Sequence, residues 1–74
     1  MFTMIQSVFN LQAGDMFQVT RRDETYFVVE FTNVFKLPGE LTAPIQRKQV
    51  DGTQPLKLWL SHDFVSKYAK PEVQ

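Results

Sequence analysis

Leu11-Gln12-Ala13-Gly14-Asp15-Met16-Phe17-Gln18-Val19 reads as a loop, a tight glycine turn and the opening residues of a β-strand. Phe17 and Val19 fall on one face of that strand and Gln18 and Thr20 on the other, the period-two alternation of a half-buried sheet. Arg22-Asp23-Glu24 is a polar turn, which makes the next run a hairpin partner. That run, over 25–34, is the strongest strand signal in the chain. Phe27, Val29 and Phe31 line one face, with Tyr26, Val28, Glu30 and Thr32 on the other. The second face is only partly polar, so some of it is expected to be covered.

Working outward toward the C-terminus, Leu37-Pro38-Gly39-Glu40 is a turn by residue type: proline fixes φ and glycine accepts a positive φ. Ala43 to Val50 reads as a third strand, closed by Asp51-Gly52 as a hairpin turn of type I′. Pro55 places the start of the following strand just after it, because proline cannot donate to a central ladder. Leu56, Leu58 and Leu60 then alternate with Lys57, Trp59 and Ser61, the cleanest alternation in the sequence. In the tail, Ser61 is a helix cap and Phe64, Val65, Tyr68 and Ala69 have helical spacing up to Pro71. The competing reading, adopted here, is one helical turn over 61–64 and then a final strand. Toward the N-terminus, the apolar residues between Phe2 and Phe9 follow neither period; the segment is read as a short strand.

The expected fold is therefore all-β, a small antiparallel barrel of about five strands with a helical turn near the C-terminus. An α+β arrangement with a C-terminal helix is the alternative. Residues 1–74 form one domain, with 1–10 an N-terminal strand or arm and 11–70 the barrel. A chain of 74 residues is near the lower limit for folding alone, and without cysteines no disulfide or thiolate metal site can reinforce it. Seven phenylalanines, Trp59, Tyr26 and Tyr68 supply the core material instead.

Leu11 and the Gly14-Asp15 turn, followed by Phe17 and Val19, together with Leu58, Trp59, Leu60, Phe64 and Tyr68 near the end, resemble an SH3-like small barrel. Short one-domain proteins of bacterial and phage origin share this loose pattern, which covers most of 11–68. The resemblance implies a fold and carries no function by itself.

Composition excludes several activities. Eight basic side chains balance eight acidic ones, so the general electrostatic footprint of a nucleic-acid binder is missing. No apolar run is long enough to span a bilayer, and the N-terminus lacks the basic flank of a secretory signal; a cytoplasmic protein without membrane contact is expected. Ser61-His62-Asp63 holds the residue types of a hydrolase triad, but consecutive residues point in different directions and cannot converge. With a single histidine, no cysteine and no glycine-rich phosphate loop, no catalytic residue, metal site or cofactor is expected.

Binding is the remaining class. If Leu56, Leu58 and Leu60 face the core, Trp59 faces outward beside Lys57, as an anchor for a protein partner or a stacking platform for bases. The plainer alternative packs Trp59 beneath the N-terminal segment or the tail. Tyr26 and Val28 extend the same face. Arg47 and Lys48, placed opposite Lys57 across the Asp51-Gly52 hairpin, form a local basic cluster suited to single-stranded nucleic acid, or simply a solvated face. Phe2, Met4, Val8 and Phe9 form an apolar segment that either docks on its own barrel or packs against a second copy in a homodimer. The expected function is a non-enzymatic module binding an as yet unidentified protein. Nucleic-acid binding and oligomer formation are the alternatives.

Overall fold

The computed structural model describes residues 1–39 and 44–71. Its strands are β1 (Phe2–Met4), β2 (Met16–Arg22), β3 (Tyr26–Lys36), β4 (Ile45–Gln46), β5 (Gln54–Ser61) and β6 (Ala69–Pro71), with one helix, α1 (His62–Tyr68), between the last two. All pairings are antiparallel. β3 is the centre of the sheet. Along its first half it pairs with β2 on one side and β5 on the other, and at its far end Phe35 faces both Gln46 of β4 and Pro55 of β5. β2 and β4 therefore share one flank of β3, and β5 occupies the other. β1 lies between β2 and β6, so the last strand returns beside the first. The sheet does not close: among the described residues, β4, β5 and β6 each pair with a single strand and remain its edges.

The alternating stretches fold as their patterns dictate. Phe17, Val29, Phe31, Leu56 and Leu60 are buried, and Val34, Met4, Leu11, Val65 and Ala69 complete the core. A run of aromatic rings passes through it: Phe2 stacks parallel to Phe17 at 5.4 Å, and Phe17 meets Phe31 at 5.2 Å with the rings tilted by 50°. β3 departs from strict alternation, since Phe31 and Val34 both point inward across an irregularity between Glu30 and Phe35. Side chains repair the ladder there: Met16 N–H donates to Asn33 Oδ1 at 2.8 Å, and the Thr32 hydroxyl donates to Met16 O at 3.4 Å. In β2 the extra residue between Val19 and Arg21 is bound similarly, the Thr20 hydroxyl donating to Val28 O at 3.1 Å.

Four expectations need correction. The N-terminal strand is only Phe2–Met4; beyond it, Val8 and Leu11 exchange backbone hydrogen bonds around a tight turn at Phe9-Asn10. The third strand over 43–50 shrinks to Ile45–Gln46, Ala43 lying outside the described residues, and it pairs with β3 rather than with β5. The Asp51-Gly52 turn is not type I′: Gly52 has φ +82°, but Asp51 does not share the positive φ that type I′ requires. The tail combines both readings, with a two-turn helix over His62–Tyr68 running directly into β6. The Ser61 hydroxyl caps this helix by accepting from Phe64 N–H at 3.0 Å.

Candidate binding face

β3 and β5 present an outward face whose register sets Tyr26 opposite Ser61, Val28 opposite Trp59 and Glu30 opposite Lys57. Because Leu56, Leu58 and Leu60 turn inward, Trp59 must turn outward, and it is 67% exposed. It is not loose. Its ring stacks on Tyr26, its diagonal neighbour, with centroids 4.8 Å apart and planes within 13°. Val28, opposite Trp59 in the register, is partly buried on the same outer face. Trp59 thus lies neither beneath the N-terminal segment nor beneath the tail.

The rim of this face is charged. Arg21, opposite Val28, reaches the Asp23 carboxylate at 3.5 Å. Asp23 also faces the Tyr26 hydroxyl and holds the phenol above its ordinary pKa of 10.0, mainly by accepting its hydrogen bond. Partial desolvation and the Asp23 charge act in the same direction, and Arg21 opposes them. Where β5 ends and α1 begins, Ser61, His62 and Asp63 do not form a triad. Ser61 caps the helix, Asp63 is exposed in its first turn, and the His62 ring lies against Phe27 at 4.2 Å. His62 Nε2 is buried without a hydrogen-bond partner.

The basic cluster anticipated around Arg47 and Lys48 is not assembled as expected. β4 and β5 lie on opposite sides of β3, so no hairpin sets Arg47 and Lys48 across from Lys57. Arg47 instead reaches back to the β1–β2 connection, donating to Asn10 O at 2.6 Å and approaching the buried Asp15 carboxylate at 3.6 Å. Lys48 is exposed beyond β4. Asp15 in turn accepts from Gln12 N–H at 2.8 Å, closing the turn in which Gly14 takes φ +98°. Arg47 and Asp15 thus tie a loop to the body of the domain, a pairing across 32 positions of sequence that no local pattern announces.

The N-terminal apolar set also divides. Met4 is a core residue, 1% exposed, and is not available to a second copy. Phe2 and Val8 pack against the core from its margin. Phe9 alone stands in solvent, 89% exposed, at φ +54° in its turn, a conformation that phenylalanine rarely adopts. It overlooks a groove of about 1420 Å³ along the outer flank of β5, where Leu58 and Phe64 are incompletely covered. Sequence reading missed this groove because it follows from strand order.

Among the described residues, no helix is long and apolar enough to cross a membrane. Comparison with protein-family models, curated proteins and solved structures finds no match for this chain.

Proposed function

We propose that this chain is a non-enzymatic binding module of the SH3-like small-barrel kind, and that its partner is a protein gripped by the outer face around Trp59, Tyr26 and Val28. The observation that carries the reading is the exposed, ordered Tyr26–Trp59 stack. An aromatic pair already held in one geometry loses little side-chain freedom on binding, and tryptophan and tyrosine dominate the energetics of protein interfaces. The surrounding charges, Arg21, Glu30 and Lys57, are mixed in sign, and the chain as a whole is neutral. Both features favour a protein over a polyphosphate.

Nucleic-acid binding is the second reading. It retains Trp59 as a stacking surface with Lys57 and Lys48 beside phosphates, but Arg47 is already engaged by Asp15 and Asn10. Oligomer formation through residues 1–10 retains Phe9 and loses Met4. The readings separate by retention on the immobilised domain, using nuclease-treated extract at low and moderate salt. A protein held equally at both salt levels, and lost with Trp59→Ala, supports the first. Retention that disappears after nuclease treatment, or falls steeply with salt, supports the second.

A further inference from the structure

We propose that Asp51-Gly52 is a site of spontaneous covalent modification, at which the folded chain converts aspartate to isoaspartate. The reaction needs three things at one residue pair. These are a solvated carboxyl side chain, a following amide nitrogen with no hydrogen bond to give up, and little bulk on the residue that carries it. Asp51 and Gly52 are both exposed, at the centre of the turn closed by Thr53 N–H donating to Val50 O at 3.1 Å. The Thr53 hydroxyl reinforces that closure, donating to Val50 O at 2.7 Å and accepting from Val50 N–H at 3.2 Å. These bonds engage the two ends of the turn, and among the described residues the Gly52 N–H between them has no partner. Gly52 has no side chain, and a Cβ built there would meet nothing within 4 Å, so the approach to its nitrogen is open.

Each of the other aspartates and asparagines lacks one of the three. Asp15 is buried, and the Met16 N–H that follows it donates to Asn33 Oδ1 at 2.8 Å. After Asp63, the Phe64 N–H donates to Ser61 Oγ at 3.0 Å. After Asn10, the Leu11 N–H donates to Val8 O at 3.0 Å. The Asp23 carboxylate is held by Arg21 and is followed by Glu24, and the Asn33 side-chain oxygen is held by Met16 with β-branched Val34 next.

The chemistry is complete without a co-reactant other than water. The Gly52 nitrogen attacks Cγ of the protonated Asp51 carboxyl; an N–Cγ bond forms, and the amide proton leaves with the carboxyl hydroxyl as water. The product is a five-membered succinimide. Water then adds at one of its two carbonyls. Addition at Cγ breaks the new bond and restores aspartate. Addition at the Asp51 backbone carbonyl breaks the original peptide bond, and the chain then runs through Cβ and Cγ. The extra backbone methylene lengthens the span that the Thr53 bonds close, just before Gln54 and Pro55 pair with Lys36 and Phe35. Leu58 and Leu60, further along β5, keep their partners Val29 and Phe27.

The test ages the full folded chain at neutral pH and physiological temperature, with samples digested by trypsin, which releases residues 49–57 as one peptide between Lys48 and Lys57. Isoaspartate is located by electron-transfer fragmentation and counted by methyl transfer from an isoaspartyl methyltransferase. It is expected to accumulate at position 51 at least about tenfold faster than at 15, 23 or 63, which corresponds to about 1.4 kcal/mol of barrier. Asp51→Ser should lose the methyl-accepting signal. Asp51→Asn, which expels ammonia in place of water, should convert to the acid and be read by the change in mass and charge of the intact chain. Amide exchange in the aged chain should quicken at Thr53 and stay unchanged at Leu58, because only the turn is altered. Isoaspartate spread evenly over the four aspartates, isoaspartate at 51 that forms only when the chain is unfolded in urea, or a signal that survives Asp51→Ser would each overturn the proposal. Unchanged exchange at Thr53 in a chain carrying isoaspartate at 51 would overturn the loosening of the turn.

Discussion

Replacing Phe9 with glycine should make the domain more stable than the same change one residue later. Phe9 and Asn10 are the two central residues of the turn joined by the Val8–Leu11 bonds, and only Phe9 has a positive φ, +54°. A left-handed conformation costs an L-residue with a Cβ about 1–2 kcal/mol, which glycine does not incur. Against this, Phe9 is 89% exposed, so removing its ring uncovers roughly a tenth of the ~150–250 Å² an aromatic can bury, worth about 0.5 kcal/mol. Glycine also raises the entropy of the unfolded chain, at about 0.5–1 kcal/mol, but Asn10→Gly carries the same term and it cancels in the comparison. Phe9→Gly should therefore exceed Asn10→Gly by about 1 kcal/mol and lie near or above the parent. For a domain of this size that separates the two melting temperatures by about 4–8 °C, measurable by circular dichroism. A Phe9→Gly midpoint at or below that of Asn10→Gly would mean the turn is unstrained, or that the ring makes contacts its exposure does not show.

Other substitutions test the remaining features. Trp59→Ala should lower stability by about 2 kcal/mol, from the buried third of the ring and the Tyr26 stack, whereas Phe31→Ala should cost about 3–5 kcal/mol; urea unfolding of both separates surface from core. Arg47→Ala deprives the buried Asp15 of its cation and should cost about 1–2 kcal/mol, with faster amide exchange confined to residues around 10–15. Ser61→Ala should cost about 1 kcal/mol and fray the first turn of α1, visible as lost protection at Phe64 N–H. The Tyr26 phenol is raised in the folded state, so the stability it contributes is present below its unfolded pKa and lost as pH climbs through the folded value. Asp23→Asn should bring the phenol back toward 10.0, read by ultraviolet absorbance during an alkaline titration; an unchanged midpoint would discard the Asp23–Tyr26 contact.

The sequence carried the local pattern and left out the long-range pairing. Leu56 to Ser61 has the facing its alternation predicts, and with it the exposure of Trp59, because a strand's side chains alternate whatever lies beside it. Ser61 was readable as a cap for the same local reason. Pairing partners are not local. The spacing of Asp51-Gly52 suggested that the strand after it folds back on the one before, but β3 is long enough to take β4 and β5 on opposite flanks. The role of Arg47 changed accordingly, from a cluster with Lys57 to a tie with Asp15. Met4 and Phe9 looked equivalent in an aperiodic stretch, and the turn at Phe9-Asn10 sends one inward and the other into solvent. The irregularity of β3 between Glu30 and Phe35 had no local signal, since the Asn33 side chain within it serves a backbone amide 17 residues away.

Photo-cross-linking from the outer face tests the proposed function most directly. With a benzophenone amino acid at Lys57, on the Trp59 face, and separately at Lys70, on the strand at the other edge of the sheet, illumination in extract should yield a discrete protein adduct from position 57 only. That adduct should disappear when Trp59→Ala is added. Adducts from position 70 alone, adducts from 57 that survive Trp59→Ala, or cross-linked nucleic acid in place of protein would contradict a protein-binding face centred on the Tyr26–Trp59 stack.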